Sequence, residues 1–125
     1  MSNTFEKQTG IRHFIAAAGY SLGGFRRLLG ESAFRQEALA FLAGIVLLPL
    51  FGAGFTQMLV FVALMLLLFA FEAINTAIEE IVDRVSPEYS LAAKHAKDLG
   101  SFACMCLIVL NGGYVLYTLY GLWFG

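Results

Sequence analysis

The chain has 125 residues, 59% of them hydrophobic and only 14% charged, with a formal net charge of −1. That apolar balance excludes an ordinary water-soluble or disordered chain, and the length leaves room for one domain, 1–125, without a separate soluble module. No nucleic-acid partner is expected, and Cys104 and Cys106 lack metal or redox spacing, so they read as packing residues facing helix or lipid.

The first ten residues, MSNTFEKQTG, are polar and lead into no uninterrupted apolar core, so no cleavable signal peptide is expected. Between Thr9 and Ser32, Ile11, Phe14, Ile15, Ala18, Leu22, Phe25 and Leu29 recur at helical spacing, while Arg12, His13, Arg26 and Arg27 project elsewhere. The pattern predicts that 1–32 is a cytoplasmic segment whose helix lies on the membrane surface. Gly19, Gly23, Gly24 and Gly30 each weaken a helix by about 1 kcal/mol relative to Ala, which predicts a break or hinge. The glycines from Gly19 to Gly24 have P-loop spacing, but Phe25-Arg26 stands where that motif demands Lys and then Ser or Thr. A nucleotide site of that kind is excluded.

No charged residue occurs in the 34 positions between Glu37 and Glu72, nor in the 27 that follow Asp98. Each run exceeds the roughly 20 apolar residues a helix needs to cross a bilayer. Pro49 and Gly52-Ala53-Gly54 interrupt the first run, so the chain is predicted to span three times, at 34–51, 56–85 and 91–122. All eight Lys and Arg lie in the N-terminal stretch up to Arg35 or between Arg84 and Lys97. The positive-inside rule makes those regions cytoplasmic and places the turn near Ala53 and the C-terminal Gly125 on the other side. Ser86-Pro87 reads as the end of the second span and the opening of the third, with Ser as cap and Pro in the first turn. Asn111-Gly112-Gly113, inside an apolar span, reads as a place where helices approach closely.

The second span ends in FEAINTAIEEIVDRV, residues 71–85, which carries four carboxylates and an amide. At about 100° per residue, Glu72, Asn75, Thr76, Glu79 and Asp83 fall on one side of a helix and Ile74, Ile78, Ile81 and Val85 on the other. A helix starting near Thr56 and rising about 1.5 Å per residue reaches the cytoplasmic edge of the hydrocarbon near Asn75. Glu72 and Asn75 then lie at headgroup depth. An interfacial cap accounts for Glu80, Asp83 and Glu88, but a helix end needs no carboxylate a turn inside the membrane. If the helices pack antiparallel through short connections, Glu31, Arg35 and Glu37 reach the same level, as do Lys94, Lys97, Asp98 and Ser101.

This inventory suits phosphoryl transfer. Hard oxygen ligands such as Glu31 and Glu79 can hold Mg²⁺, a lysine neutralises phosphate charge, and a carboxylate takes the proton of an attacking hydroxyl. Glu72, the deepest, is the natural base, because desolvation makes a carboxylate a better proton acceptor. An ion channel or small exporter would also collect intramembrane carboxylates, so residue types alone leave both readings open.

EAINTAIEEIVDRVSPEYS followed by AKHAKDLGS, with AAGYS and AFRQE upstream, resembles the small prokaryotic diacylglycerol kinases. The resemblance runs from about residue 10 to 101, the third span matching only in hydrophobicity. It implies an all-α integral membrane protein, a homotrimer with three transmembrane helices and an N-terminal surface helix per chain, in a bacterial inner membrane. It implies transfer of the γ-phosphate of Mg-ATP to the primary hydroxyl of diacylglycerol, at sites shared between subunits. It carries over Glu72 as catalytic base with Asn75 beside it, and Glu31 and Glu79 as metal and ATP ligands. Lys97 and Asp98 follow as nucleotide contacts, with Tyr20, Glu88 and Tyr89 nearby and either Arg12 or His13 as the basic residue before AAGYS. Arg35, Glu37, Glu72 and Ser101 match positions near the lipid. Ala16 and Gly23 stand where basic residues are often found, and the link from AGYS to Glu31 is one residue short.

Undecaprenol kinases are the alternative, since they share the acidic helix; ESAFRQE and VDRVSPEYS look nearer the diacylglycerol enzymes. A channel or exporter would hold its carboxylate near the bilayer midplane, whereas Glu72 falls near the cytoplasmic end of its helix. A passive scaffold leaves the one-sided stripe unexplained.

Overall fold

The computed structural model describes residues 9–125. They form four helices: α1 Gly10–Leu28, α2 Ser32–Leu50, α3 Phe55–Val85 and α4 Leu91–Phe124, with no strand among the described residues. The last three are long and apolar enough to cross a membrane. At about 1.5 Å per residue, the 31 residues of α3 are longer than a 30 Å hydrocarbon layer needs, so its acidic end extends past the apolar zone.

The break expected in α1 is absent. The helix is continuous from Gly10 to Leu28, with Gly19, Gly23 and Gly24 inside it and Gly30 beyond its end. Glycine lowers helix stability but does not forbid helical torsions, and none of those three has a positive φ. The chain then turns sharply into α2. Gly30 N–H donates to the Arg27 carbonyl at 3.1 Å, Glu31 N–H to that of Leu28 at 2.8 Å, and Arg35 Nη1 to that of Leu29 at 2.8 Å.

Between α2 and α3, Gly52 adopts φ +104°, a torsion that favours glycine, and Ala53 N–H reaches back to the Leu48 carbonyl at 2.9 Å. Gly54 N–H donates to Gln57 Oε1 at 2.8 Å, satisfying an exposed donor at the start of α3. The connection from α3 to α4 differs from expectation. Ser90 caps α4, its Oγ accepting from Ala93 N–H at 3.1 Å, whereas Ser86 ends α3 and Pro87 lies in the link. The residue before a proline is pushed out of the helical region, so Pro87 stops α3 at Ser86 without starting α4.

α3 is the central helix. It packs along α4 and, over a shorter length, against α2, with α1 touching it near the acidic end. Leu48, Phe61, Met65, Leu68 and Leu107 form the buried core. Aromatic rings run continuously from α1 through α2 to α3: Phe25 on Phe34 at 6.0 Å between centroids, Phe34 on Phe69 at 5.1 Å, Phe69 on Phe41 at 5.6 Å and Phe41 on Phe61 at 5.9 Å. At Gly44 the α2 backbone lies so near α3 that any Cβ would overlap the Phe61 ring.

Asn111-Gly112-Gly113 plays another part than expected. Gly112 and Gly113 have open space where a Cβ would stand, so they bring no helix of this chain close. Asn111 is buried instead, and its amide donates to the Leu64 carbonyl of α3 at 3.1 Å and the Leu107 carbonyl at 2.9 Å. Asn111 thus ties α4 to α3 through its side chain within the span. A groove of about 720 Å³ runs between α2 and α4 over α3, lined by Ala43, Leu47, Phe61 and Met65 among others, with Asn111 along it and Glu37 towards its acidic end.

Candidate active site

The site grows from the stripe that packs the core. Phe61, Met65 and Leu68 are followed at helical spacing by Glu72 and Thr76, so the buried face of α3 turns polar without changing direction. Glu72 is only 7% exposed, and Thr76 6%. Beside Glu72 lie Glu37 of α2 and Cys104 of α4. Cys104 is buried and Cys106 exposed.

One turn on, Asn75 Nδ2 donates to Glu79 Oε1 at 3.3 Å. Its Oδ1 is buried without a hydrogen-bond partner among the described residues and lies against Gly100 of α4, where any Cβ would collide with it. Glu37 Oε1 is a second buried, unpartnered acceptor. Orphaned buried oxygens are costly and point to a donor supplied from outside the single chain.

Around this centre stand ion pairs. Lys97 of α4 pairs with Asp83 of α3 and feels the charge of Glu79. Lys94 pairs with Asp98 at 2.6 Å along α4, so the two lysines serve different partners. Arg27, in the last turn of α1, joins Glu31 at 2.9 Å and Glu80 of α3. Glu80, and then Glu31, hold its guanidinium pKa above its already high ordinary value. Glu80 and Asp83, read from sequence as a solvated helix end, are exposed but each ties α3 to another helix.

Of the residues singled out in the sequence, Glu37, Glu72, Asn75, Glu79 and Lys97 come together, and Glu31 stands in the adjoining cluster with Arg27 and Glu80. The others are more peripheral. Arg12, His13, Tyr20, Glu88, Tyr89, Asp98 and Ser101 are exposed, and Arg35 is spent on the Leu29 carbonyl. Four positions were not singled out for the site: Arg27, Glu80, Gly100 and Cys104. Arg27 and Glu31 stand four apart, a spacing that signals an ion pair, but nothing local reveals that Glu80 completes it.

No group of three metal-ligating side chains occurs among the described residues. The donor set nonetheless fits a magnesium ion carried largely by phosphates and water, which asks the protein for one or two carboxylates. Glu31 and Glu79 are hard oxygen donors, and the bonds above engage one oxygen of each.

The prokaryotic diacylglycerol kinase model matches residues 19–119. The chain belongs to that family. It is 64% identical over 113 residues to a diacylglycerol kinase of Sinorhizobium, covering 90% of this chain and 82% of the relative. A diacylglycerol kinase of Pseudomonas aeruginosa is 42% identical over 119 residues, 90% of this chain and 94% of its own. One from Escherichia coli K12 is 36% identical over 103 residues, 82% and 84% of the two chains. The family match extends into α4 well past Ser101, further than the motifs suggested, and leaves Arg12 and His13 outside it.

Proposed function

We propose that the chain transfers the γ-phosphoryl group of ATP, with Mg²⁺, to the primary hydroxyl of diacylglycerol, giving phosphatidic acid at the cytoplasmic face of a bacterial inner membrane. The observation that carries the reading is Glu72, a buried carboxylate beside Glu37 at the acidic end of an apolar groove, in a chain of this family. A lipid whose acyl chain lies in the groove brings its hydroxyl to the end marked by Glu37, beside Glu72. Glu72 takes the hydroxyl proton as the oxygen forms its bond to the γ-phosphorus, and the bond to ADP breaks. Asn75 holds Glu79 in place, and Lys97 sets positive charge beside Glu79, where the phosphates arrive. Glu31 and Glu79 would hold Mg²⁺, which supplies charge neutralisation on the phosphates when bound.

Tyr20, Glu88, Tyr89, Asp98 and one of Arg12 or His13 complete the nucleotide surface, and Arg35, Glu37 and Ser101 the lipid surface. Homotrimerisation supports both. Most side chains of the three spans are exposed in the single chain, and the unpartnered oxygens of Glu37 and Asn75 await donors from a neighbour or substrate. In the same reading the N-terminus is cytoplasmic, the C-terminus lies on the opposite side, and 1–125 is one membrane-embedded kinase domain.

The deciding experiment follows labelled γ-phosphate from Mg-ATP into diacylglycerol or undecaprenol in lipid–detergent micelles. Phosphatidic acid is the expected product, and Glu72→Gln is expected to lose about 10²–10⁴-fold in rate with its oligomer intact, the usual contribution of a general base. Label only in the polyprenyl product would reassign the substrate. No label in either, from folded protein, would favour cation transport.

A further inference from the structure

Arg27 connects three helices through exposed groups. Its Nη1 donates to Glu31, which precedes the first residue of α2, at 2.9 Å, and its Nε donates to Glu80 of α3. The three side chains are 46%, 37% and 56% exposed. Exposed pairs of this kind add little stability, too little to explain the arrangement. What the pair fixes is direction.

Glu31 has its backbone held on both sides, by its N–H on the Leu28 carbonyl at 2.8 Å and by the Arg35 N–H on its own carbonyl at 3.1 Å. Its side-chain torsions are not held by those bonds, and no side-chain hydrogen bond caps α2. Arg27 supplies the restraint, engaging Oε1 and leaving the second carboxylate oxygen for another ligand. Gly30 clears the path: a Cβ there would stand 3.2 Å from the Arg27 carbonyl oxygen and 3.6 Å from its Nη1. At the far end, Glu80 neighbours Glu79, so the guanidinium links Glu31 to the turn of α3 that carries the second candidate ligand. A planar fork with donors on different edges can serve both carboxylates at once, which a lysine's single ammonium does less well.

We propose that Arg27 is a positioning residue for the nucleotide's divalent cation, orienting the Glu31 carboxylate relative to Glu79 by bridging Glu31 to Glu80. The inference rests on the reading of Glu31 and Glu79 as the cation's ligands. Partners that orient a metal-ligating side chain typically change metal affinity by about 10–100-fold when removed, and an exposed partner belongs at the lower end.

The test uses the full chain in micelles with Mn²⁺ as a paramagnetic stand-in and a non-hydrolysable ATP analogue, bound Mn²⁺ being read by electron paramagnetic resonance. Arg27→Gln is expected to weaken Mn²⁺ binding about ten-fold and to raise the Mg²⁺ concentration for half-maximal phosphotransfer by a similar factor. The rate at saturating Mg²⁺ should fall much less. Arg27→Lys should recover part of the loss, Glu80→Gln should shift binding in the same direction by less, and circular dichroism should show all of them folded. Wild-type or tighter Mn²⁺ binding in Arg27→Gln would overturn the proposal, the tighter result by showing that the guanidinium competes with the cation. Glu31→Gln separates the two failures. If it weakens Mn²⁺ binding while Arg27→Gln does not, only the role of Arg27 falls; if it too leaves binding unchanged, the ligand assignment falls with it.

Discussion

A single methyl group at position 100 would collide with the Asn75 amide oxygen. Gly100 therefore matters by what it lacks, and Gly100→Ala is expected to displace Asn75 and, with it, Glu79. Overpacking of this kind costs about 1–3 kcal/mol. In the proposed kinase, phosphotransfer should fall at least about ten-fold, the equivalent of 1.4 kcal/mol in a barrier. Gly113→Ala, with open space around it, should leave the rate unchanged and raise helix stability by up to about 1 kcal/mol. Rate assays and thermal unfolding of both variants in the same detergent check the contrast. The sequence revealed the acids on α3 because carboxylates in an apolar run stand out. It did not reveal Gly100, which has no side chain to draw notice, or the place of Cys104, read only as a packing residue; their importance comes from standing opposite Asn75 and Glu72.

Helices were legible as elements, their ends less so. Charge-free runs longer than a bilayer needs, broken once at Pro49 and Gly52, leave little choice but three spans. Caps depend on which of several neighbouring groups reaches a free N–H. Ser86 and Ser90 flank the same link, and only the fold selects Ser90 as the cap of α4 and Ser86 as the end of α3. Ser90→Ala is expected to cost about 1 kcal/mol by freeing the first turn of the helix that carries Lys97. Equilibrium unfolding in mixed micelles measures it, and Ser86→Ala, which removes the Ser86 Oγ bonds to the Glu88 carbonyl and to Ser90 Oγ but leaves the Ser90 cap on Ala93 N–H, should cost less. The uninterrupted α1 follows from the same logic: three glycines lower its stability, yet its ladder is unbroken and Phe25 docks its last turn on Phe34.

At the scale of the molecule, α3 serves as an axis on which α2, α4 and the end of α1 converge, and their acidic and basic ends assemble the site. The groove between α2 and α4 joins that site to the apolar interior. Ala43→Phe, an exposed position on the groove wall, is expected to raise KM for long-chain diacylglycerol several-fold while leaving KM for Mg-ATP unchanged. Short-chain substrate should be affected less. Equal losses on both substrates would show that the groove is not where the lipid lies.

By itself the sequence determined the membrane class, the number of long helices and the polar face of α3, because hydropathy and helical period are local properties read directly along a chain. The family resemblance was legible for the same reason, carried by motifs contiguous on α3 and at the start of α4. Tertiary structure decided which groups meet: Glu37 beside Glu72, Asn75 against Gly100, Arg27 between Glu31 and Glu80, and Asn111 rather than its glycines joining α3 to α4. These pairings depend on helix rotation and depth relative to a neighbour, and a shift of one residue, about 100° and 1.5 Å, would dissolve them without altering any local pattern.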